Sequence, residues 1–203
     1  VSTAAPPSDD EPSNGYDAVA REFMSVRSAS GRDVVADWAA SLHAGASVVD
    51  VGAGHGEPLT AALIKAGLSV SAIDASPAMV AAFKERFPGV PVACEAAEES
   101  AFFRRGFDAV LCVGLVFLPP ADRQPALLAR ICAALKPGGR LLFSAPLPAC
   151  EWTDVLTGRP SVSLGAEAYG RILKGVGVTV VGERTDEGGT TYYEAIKTKA
   201  ARP

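Results

Sequence analysis

Apolar and polar positions along this chain follow two periods in turn. Short apolar runs recur at 48–51, 68–73, 90–94, 107–113 and 141–145 and predict strands, that at 107–113 buried on both faces because it shows no polar alternation after Asp108. Helical spacing fills the intervals. Val19, Phe23 and Val26 predict a helix over 17–28, and Val35, Trp38 and Leu42 predict a second over 32–43. Further helices are predicted from Glu57-Pro58, over 76–87, over 121–135 and over 165–174. Ser76 supplies a capping hydroxyl and Pro77 fits the first turn, while Pro88-Gly89, Lys136-Pro137-Gly138-Gly139 and Gly175 stop their helices. The stretch holding Pro146, Pro148 and Pro160 reads as a loop. Two last strands, 178–183 and 191–196, flank Asp186-Glu187-Gly188-Gly189, which is hairpin chemistry.

Strand and helix thus alternate five times before a hairpin closes the chain. Parallel neighbours need right-handed crossovers, so the expected fold is α/β: a Rossmann-like doubly wound sheet with helices on both faces. It is mostly parallel, with one antiparallel strand from the C-terminal hairpin. With 203 residues and 48% hydrophobic content there is material for one sizeable core. Residues 1–15, rich in Ser, Ala, Pro and acid, are expected to form a disordered tail. Residues 16–203 then make a single domain, in which 16–45 form a helical cap over the mouth of the site.

Charge and cysteines narrow the function classes. A net charge of −4 argues against a nucleic-acid partner, because such affinity comes from clustered Lys and Arg. Cys94, Cys112, Cys132 and Cys150 show no C-x-x-C spacing and read as free thiols of a reducing cytoplasm rather than a disulfide framework or zinc site. No long apolar run predicts a membrane span or secretory signal.

The candidate chemistry centres on Val48 to Gly56, reading VVDVGAGHG. A buried strand runs into a glycine loop and then a helix, the geometry of a nucleotide site. A phosphate-cradling loop would need a Gly-Lys-Ser/Thr ending, which is absent. A dinucleotide fingerprint would need its third glycine where Glu57 stands, and that carboxylate would repel a pyrophosphate.

What remains, Asp50-x-Gly52-x-Gly54-x-Gly56, resembles the first motif of the class I S-adenosylmethionine-dependent methyltransferases. Asp74 ending the second strand, Glu95 after the third, Phe107-Asp108 opening the fourth and Leu135-Lys136-Pro137-Gly138-Gly139-Arg140 before the fifth extend the likeness over 16–203. The resemblance is nearest to small bacterial members without appended domains. It implies a seven-stranded sheet with its last strand antiparallel, and S-adenosylmethionine as cofactor. It further implies that Gly52, Ala53, Gly54 and Gly56 hold the methionine part, with Asp50 ordering the loop or the amino group. Asp74 would take the ribose hydroxyls and Glu95 the adenine amino group. Ala96 would offer its N–H to the ring and Met79 would cover the adenine face, with Ala75, Val113 and Arg27 completing the set. Where such members are expected to read Asn-His-Tyr-Tyr in the last hairpin, this chain has Thr190-Thr191-Tyr192-Tyr193.

The methyl acceptor is expected to be a small molecule with an O or N nucleophile. No Asn-Pro-Pro-Tyr follows the fourth strand, and no metal-ligand cluster is present. Glu151, Trp152 and Asp154, after the fifth strand, could receive an amine between two carboxylates, or Trp152 could pack on the domain edge. Tyr16 and Arg27 could close over the cofactor carboxylate or serve as surface. His55 reads as loop filler or carboxylate contact, and of Tyr192 and Tyr193 only one can face the site. The competing readings are a catalytically silent cofactor binder of the same fold and an NAD-dependent oxidoreductase.

Overall fold

A computed structural model of the protein describes residues 11–199; the first ten residues of the expected tail lie outside them. The elements are α1 (Ala20–Val26), α2 (Arg32–Ala40), β1 (Ser47–Val51), α3 (Leu59–Lys65), β2 (Ser69–Asp74), α4 (Pro77–Arg86), β3 (Val92–Cys94), β4 (Phe107–Cys112), α5 (Gln124–Ala133), β5 (Leu135–Ser144), β6 (Ala149–Thr153), β7 (Pro160–Leu164), α6 (Ala166–Gly175), β8 (Val178–Thr185) and β9 (Thr191–Lys197).

Seven strands form one sheet in the order β3-β2-β1-β4-β5-β9-β8. β9 runs antiparallel to both neighbours, and the pairs from β3 to β5 are parallel. The expected doubly wound sheet with one antiparallel strand is therefore present. Strand alternation divides the core between two faces. Val49, Val110, Phe143 and Tyr193 pack with α5 and α6 residues such as Leu128 and Leu173. Val48, Leu111, Leu142 and Tyr192 pack on the other face with Trp38 of α2 and Leu63 of α3.

Three expectations need correction. The proline-bearing stretch read as a loop contains β6 and β7, a separate two-stranded antiparallel sheet in which Trp152 pairs with Ser161. Pro160 opens β7, a position where a missing N–H costs nothing. Pro58 precedes α3 instead of entering its first turn. Finally, Glu11–Gly15 are not featureless: the Glu11 carboxylate accepts from the Ser13 N–H (2.9 Å), the Ser13 hydroxyl (2.6 Å) and the Gly15 N–H. A side chain that satisfies its own turn needs no hydrophobic run to order it.

All four cysteines are free, with Cys112 and Cys132 buried, Cys150 partly so and Cys94 exposed. Among the described residues no group of His, Cys, Asp and Glu could hold a metal ion, and no helix is long and apolar enough to cross a membrane.

Candidate active site

Valines carry β1 to the edge of the sheet, and the chain reverses at once because Gly52, Gly54 and Gly56 all adopt positive φ. The loop folds over the end of β2: the N–H groups of Gly52 and Ala53 donate to the Ile73 carbonyl at 2.8 and 3.1 Å. Asp74 then clamps it. Its Oδ2 accepts from Gly54 N–H at 2.7 Å and its Oδ1 from Ser76 N–H at 2.8 Å. Burial pushes the Asp74 carboxyl up and these two hydrogen bonds oppose the shift.

The three glycines are not equivalent. A Cβ on Gly52 would press on Leu115 at 3.3 Å, and one on Gly56 would strike Phe87 and meet Phe83 at 3.0 Å. A Cβ on Gly54 would enter open space bounded by Phe23 at 3.9 Å and the Met79 sulfur at 4.0 Å. Gly56 therefore serves packing against α4, and Gly54 leaves a floor bare.

That space belongs to a cavity of about 790 Å³ at the carboxyl ends of the strands. Of the residues expected for the cofactor, Asp50, Gly52, Ala53, Gly54, Asp74, Ala75, Met79, Glu95, Ala96, Val113 and Arg27 line it, and Gly56 stands behind the loop. Asp50 is 3% exposed, accepts the Thr60 hydroxyl at 2.6 Å and is pushed up to about 7 by burial. Glu95 accepts the Ser100 hydroxyl at 2.6 Å, and its N–H pairs with the Asp74 carbonyl at 3.0 Å. His55 is buried with Nδ1 unpartnered, and burial together with Arg86 and Arg27 lowers its pKa, which keeps the ring neutral. Arg27 donates to the carbonyls of Ser28 (3.1 Å) and Ser30 (3.3 Å) and makes no ion pair among the described residues. A groove of about 860 Å³ between α2 and α3 is somewhat larger, but its alanine-rich walls gather no strand-end acids.

The N-terminal segment closes the cavity through contacts that sequence patterning did not reveal. Asp17 Oδ1 accepts from the Ser76 hydroxyl (2.6 Å) and from Ala78 N–H (2.9 Å), so it caps α4 from outside. Tyr16 lines the cavity, and its hydroxyl donates to Asp154 Oδ2 at 2.9 Å. Phe23 follows, edge-on to both Tyr16 and His55.

The expected pair of carboxylates around Trp152 is not built. Residues adjacent on a strand face opposite ways, so Trp152 lines the cavity while Glu151 is exposed outside it. Asp154 lines the cavity but is already engaged: Oδ1 accepts from Leu156 N–H, Thr157 N–H and the Thr157 hydroxyl, and Oδ2 from Tyr16. Burial raises its pKa, yet these bonds outweigh it and hold the carboxyl below its ordinary value. Replacing Glu151 by Ala is therefore expected to leave ligand uptake by the cavity unchanged, as calorimetry would show.

Of the two hairpin tyrosines, Tyr192 faces the cavity and donates to Asp186 at 2.9 Å, while Tyr193 stacks on Phe143 at 4.8 Å in the core. Residues missed in the sequence include Asp17, Thr60, Asp186 and Ser144, which lines the cavity and accepts from Gly114 N–H at 2.9 Å. Only Asp186, in its turn, carried a local signal.

The cavity suits the adenosyl sulfonium that the glycine motif implies. Its lining holds nine Asp and Glu residues against two Arg, and the bare Gly54 floor admits a ligand where any side chain would intrude. Residues 48–139 match the family model described as a methyltransferase domain. A search of curated proteins finds no match. Among solved structures the chain is similar to the Burkholderia thailandensis 1,6-didemethyltoxoflavin-N1-methyltransferase bound to 1,6-didemethyltoxoflavin and S-adenosylhomocysteine. Identity is 25% over 98% of this chain and 93% of that one, with a TM-score of 0.65. It is also similar to an amino pentose methyltransferase from Micromonospora echinaspora with bound S-adenosylmethionine (20% identity, 90% of this chain, 96% of that one, TM-score 0.67). The [4+2]-cyclase SpnF shares the fold at 16% identity, 97% and 98% coverage and a TM-score of 0.74. By the family match residues 48–139 thus form a methyltransferase domain, within a fold shared along 98% of the chain with a methyltransferase bound to S-adenosylhomocysteine.

Proposed function

We propose that this protein transfers a methyl group from S-adenosylmethionine to an oxygen or nitrogen of a small molecule. The observation that carries the reading is the Asp74 clamp beneath the bare Gly54 floor. Each carboxylate oxygen of Asp74 has committed one lone pair to a backbone N–H, which leaves one apiece for a ribose diol. Glu95 and the Ala96 N–H serve the adenine and Met79 covers its face. Arg27, with donors left over from its two carbonyl bonds, takes the cofactor carboxylate. When bound, S-adenosylmethionine supplies a sulfonium-activated methyl group for in-line displacement.

The chain's own contribution is to hold the acceptor behind that methyl. Orientation of this kind can lower a barrier by roughly 7–11 kcal/mol. Asp154 is committed to Tyr16 and its own turn, and Asp186 to Tyr192, Gly188 N–H and Thr190 N–H. Neither is placed to strip a proton, which suits an amine, a ring nitrogen or an already ionised oxygen. The 1,6-didemethyltoxoflavin-N1-methyltransferase, similar over 98% of this chain and bound to a small molecule, supports that class.

Calorimetry with S-adenosylmethionine, S-adenosylhomocysteine and NAD in parallel tests the cofactor. Uptake of the first two and not the third is expected, and uptake of NAD alone would overturn the reading. A mass-spectrometric acceptor screen then separates an enzyme from a silent binder.

Asp50 adds a pH signature. Its carboxyl lies at about 7 in the fold against an ordinary 3.8, so the native state keeps a proton that the unfolded chain has lost. Stability of the ligand-free protein therefore falls as pH rises across that window. A cationic cofactor favours the ionised carboxylate, so S-adenosylmethionine binding near pH 7 is expected to release protons. Asp50→Asn, which can keep the Thr60 hydrogen bond, should flatten the stability profile by the Asp50 share, leaving that of Asp74, and should cut the proton release. Calorimetry in buffers of different ionisation enthalpy reads the proton count.

A further inference from the structure

Resting on the methyltransferase reading above, we propose that the acceptor is a planar aromatic molecule and that Trp152, paired with Phe117, is the shelf on which it stacks. The two rings stand 5.1 Å apart at a 55° tilt, and both line the cavity. Trp152 is only partly buried, so indole surface remains for a ligand. Tilted aromatic pairs extend readily to a third ring, because edges and faces carry opposite partial charge.

The shelf is fixed before any ligand arrives. Val162 N–H of β7 donates to the Phe117 carbonyl at 2.9 Å. Buried Gln124, at the start of α5, donates to the carbonyls of Pro119 (3.0 Å) and Val162 (2.8 Å) and accepts from the Tyr169 hydroxyl at 2.9 Å. These bonds sew the β6–β7 sheet to the loop after β4, so the backbones carrying both rings cannot drift apart. Preorganisation of this kind lowers the ordering cost of binding. The Tyr16–Asp154 hydrogen bond ties the N-terminal segment to the same sheet.

The surrounding chemistry selects the occupant. Leu115, Leu118 and Pro119 continue the apolar wall. An alkylammonium finds no free carboxylate on β6 or in the turn after it, since Glu151 points away and Asp154 has four donors already. A saturated skeleton offers an indole face only C–H contacts, whereas a flat π-system adds the quadrupole complementarity of offset or edge-to-face rings.

The test uses the full chain saturated with S-adenosylhomocysteine and titrated calorimetrically with 2-naphthol and with decahydro-2-naphthol, which has the same carbon skeleton without the planarity. The wild type is expected to bind 2-naphthol about 10-fold more tightly than its saturated counterpart. Trp152→Leu should weaken 2-naphthol by about 10-fold, and Trp152→Phe should stay within about threefold of the wild type. Both variants should keep the wild-type affinity for S-adenosylhomocysteine, which also shows that they fold. Equal affinity for the two probes, no binding of 2-naphthol, or an unchanged Trp152→Leu variant would each overturn the proposal. Failure of the wild type to take up S-adenosylhomocysteine would instead remove the cofactor reading, and the proposal with it.

Discussion

Replacing Asp74 by Ala is expected to weaken S-adenosylhomocysteine binding by roughly 100-fold. Hydrogen bonds to a charged group contribute about 1.5–3 kcal/mol each, and the lower end of that range, taken for both bonds to a ribose diol, gives about 3 kcal/mol. The substitution also frees the Gly54 and Ser76 N–H groups, so the first loop loses its clamp to β2. Asp74→Asn keeps one acceptor oxygen and should lose only about 10-fold. Ligand-free stability responds differently. Burial of the carboxylate opposes folding at neutral pH, so removing it offsets part of the two lost hydrogen bonds. Calorimetry beside thermal unfolding separates the two quantities, and undiminished affinity in Asp74→Ala would refute the cofactor site.

The second large effect divides the glycine loop. Gly56→Ala places a methyl group 2.9 Å from Phe87 Cδ2 and 3.0 Å from Phe83 Cδ2, at a backbone φ of +87°. Phe83 is fully buried and cannot yield. Overpacking together with left-handed strain should cost about 2–4 kcal/mol of stability, read by chemical denaturation. Gly54→Ala meets nothing nearer than 3.9 Å, so its cost to the ligand-free fold is the backbone strain alone, about 1–2 kcal/mol. Its methyl group projects into the cavity, however, and cofactor affinity should fall further than in any variant that leaves the floor bare. Stability loss concentrated at Gly56 and affinity loss at Gly54 is the expected pattern; the reverse would show the loop to be misassigned.

Much of this site is legible in the order of amino acids. Continuous apolar runs locate all five parallel strands, and the positions just after them name the lining acids, because a doubly wound sheet sends every strand end to one mouth. Ser76 is readable as a cap because capping is local: its hydroxyl accepts the Met79 N–H at 3.1 Å within one turn. β6 and β7 are not legible in this way. Their five-residue segments carry prolines nearby, and their strand state depends on Phe117 and Gln124, some 30 to 45 positions distant in sequence. The same holds for Asp17, which caps a helix 59 positions downstream through Ser76.

By itself, the sequence determined the layering, the strand that closes the sheet, the glycine turn and the acids around it, since these follow from periodicities and dihedral limits that act over a few residues. Tertiary structure alone decided which glycine leaves the cavity open and which packs a helix. It also decided that Glu151 faces away while Trp152 faces in, and that Asp154 is occupied rather than available. Those outcomes depend on strand register and on hydrogen bonds between segments far apart in the chain. No local pattern encodes where a distant phenol or a phenylalanine ring comes to rest.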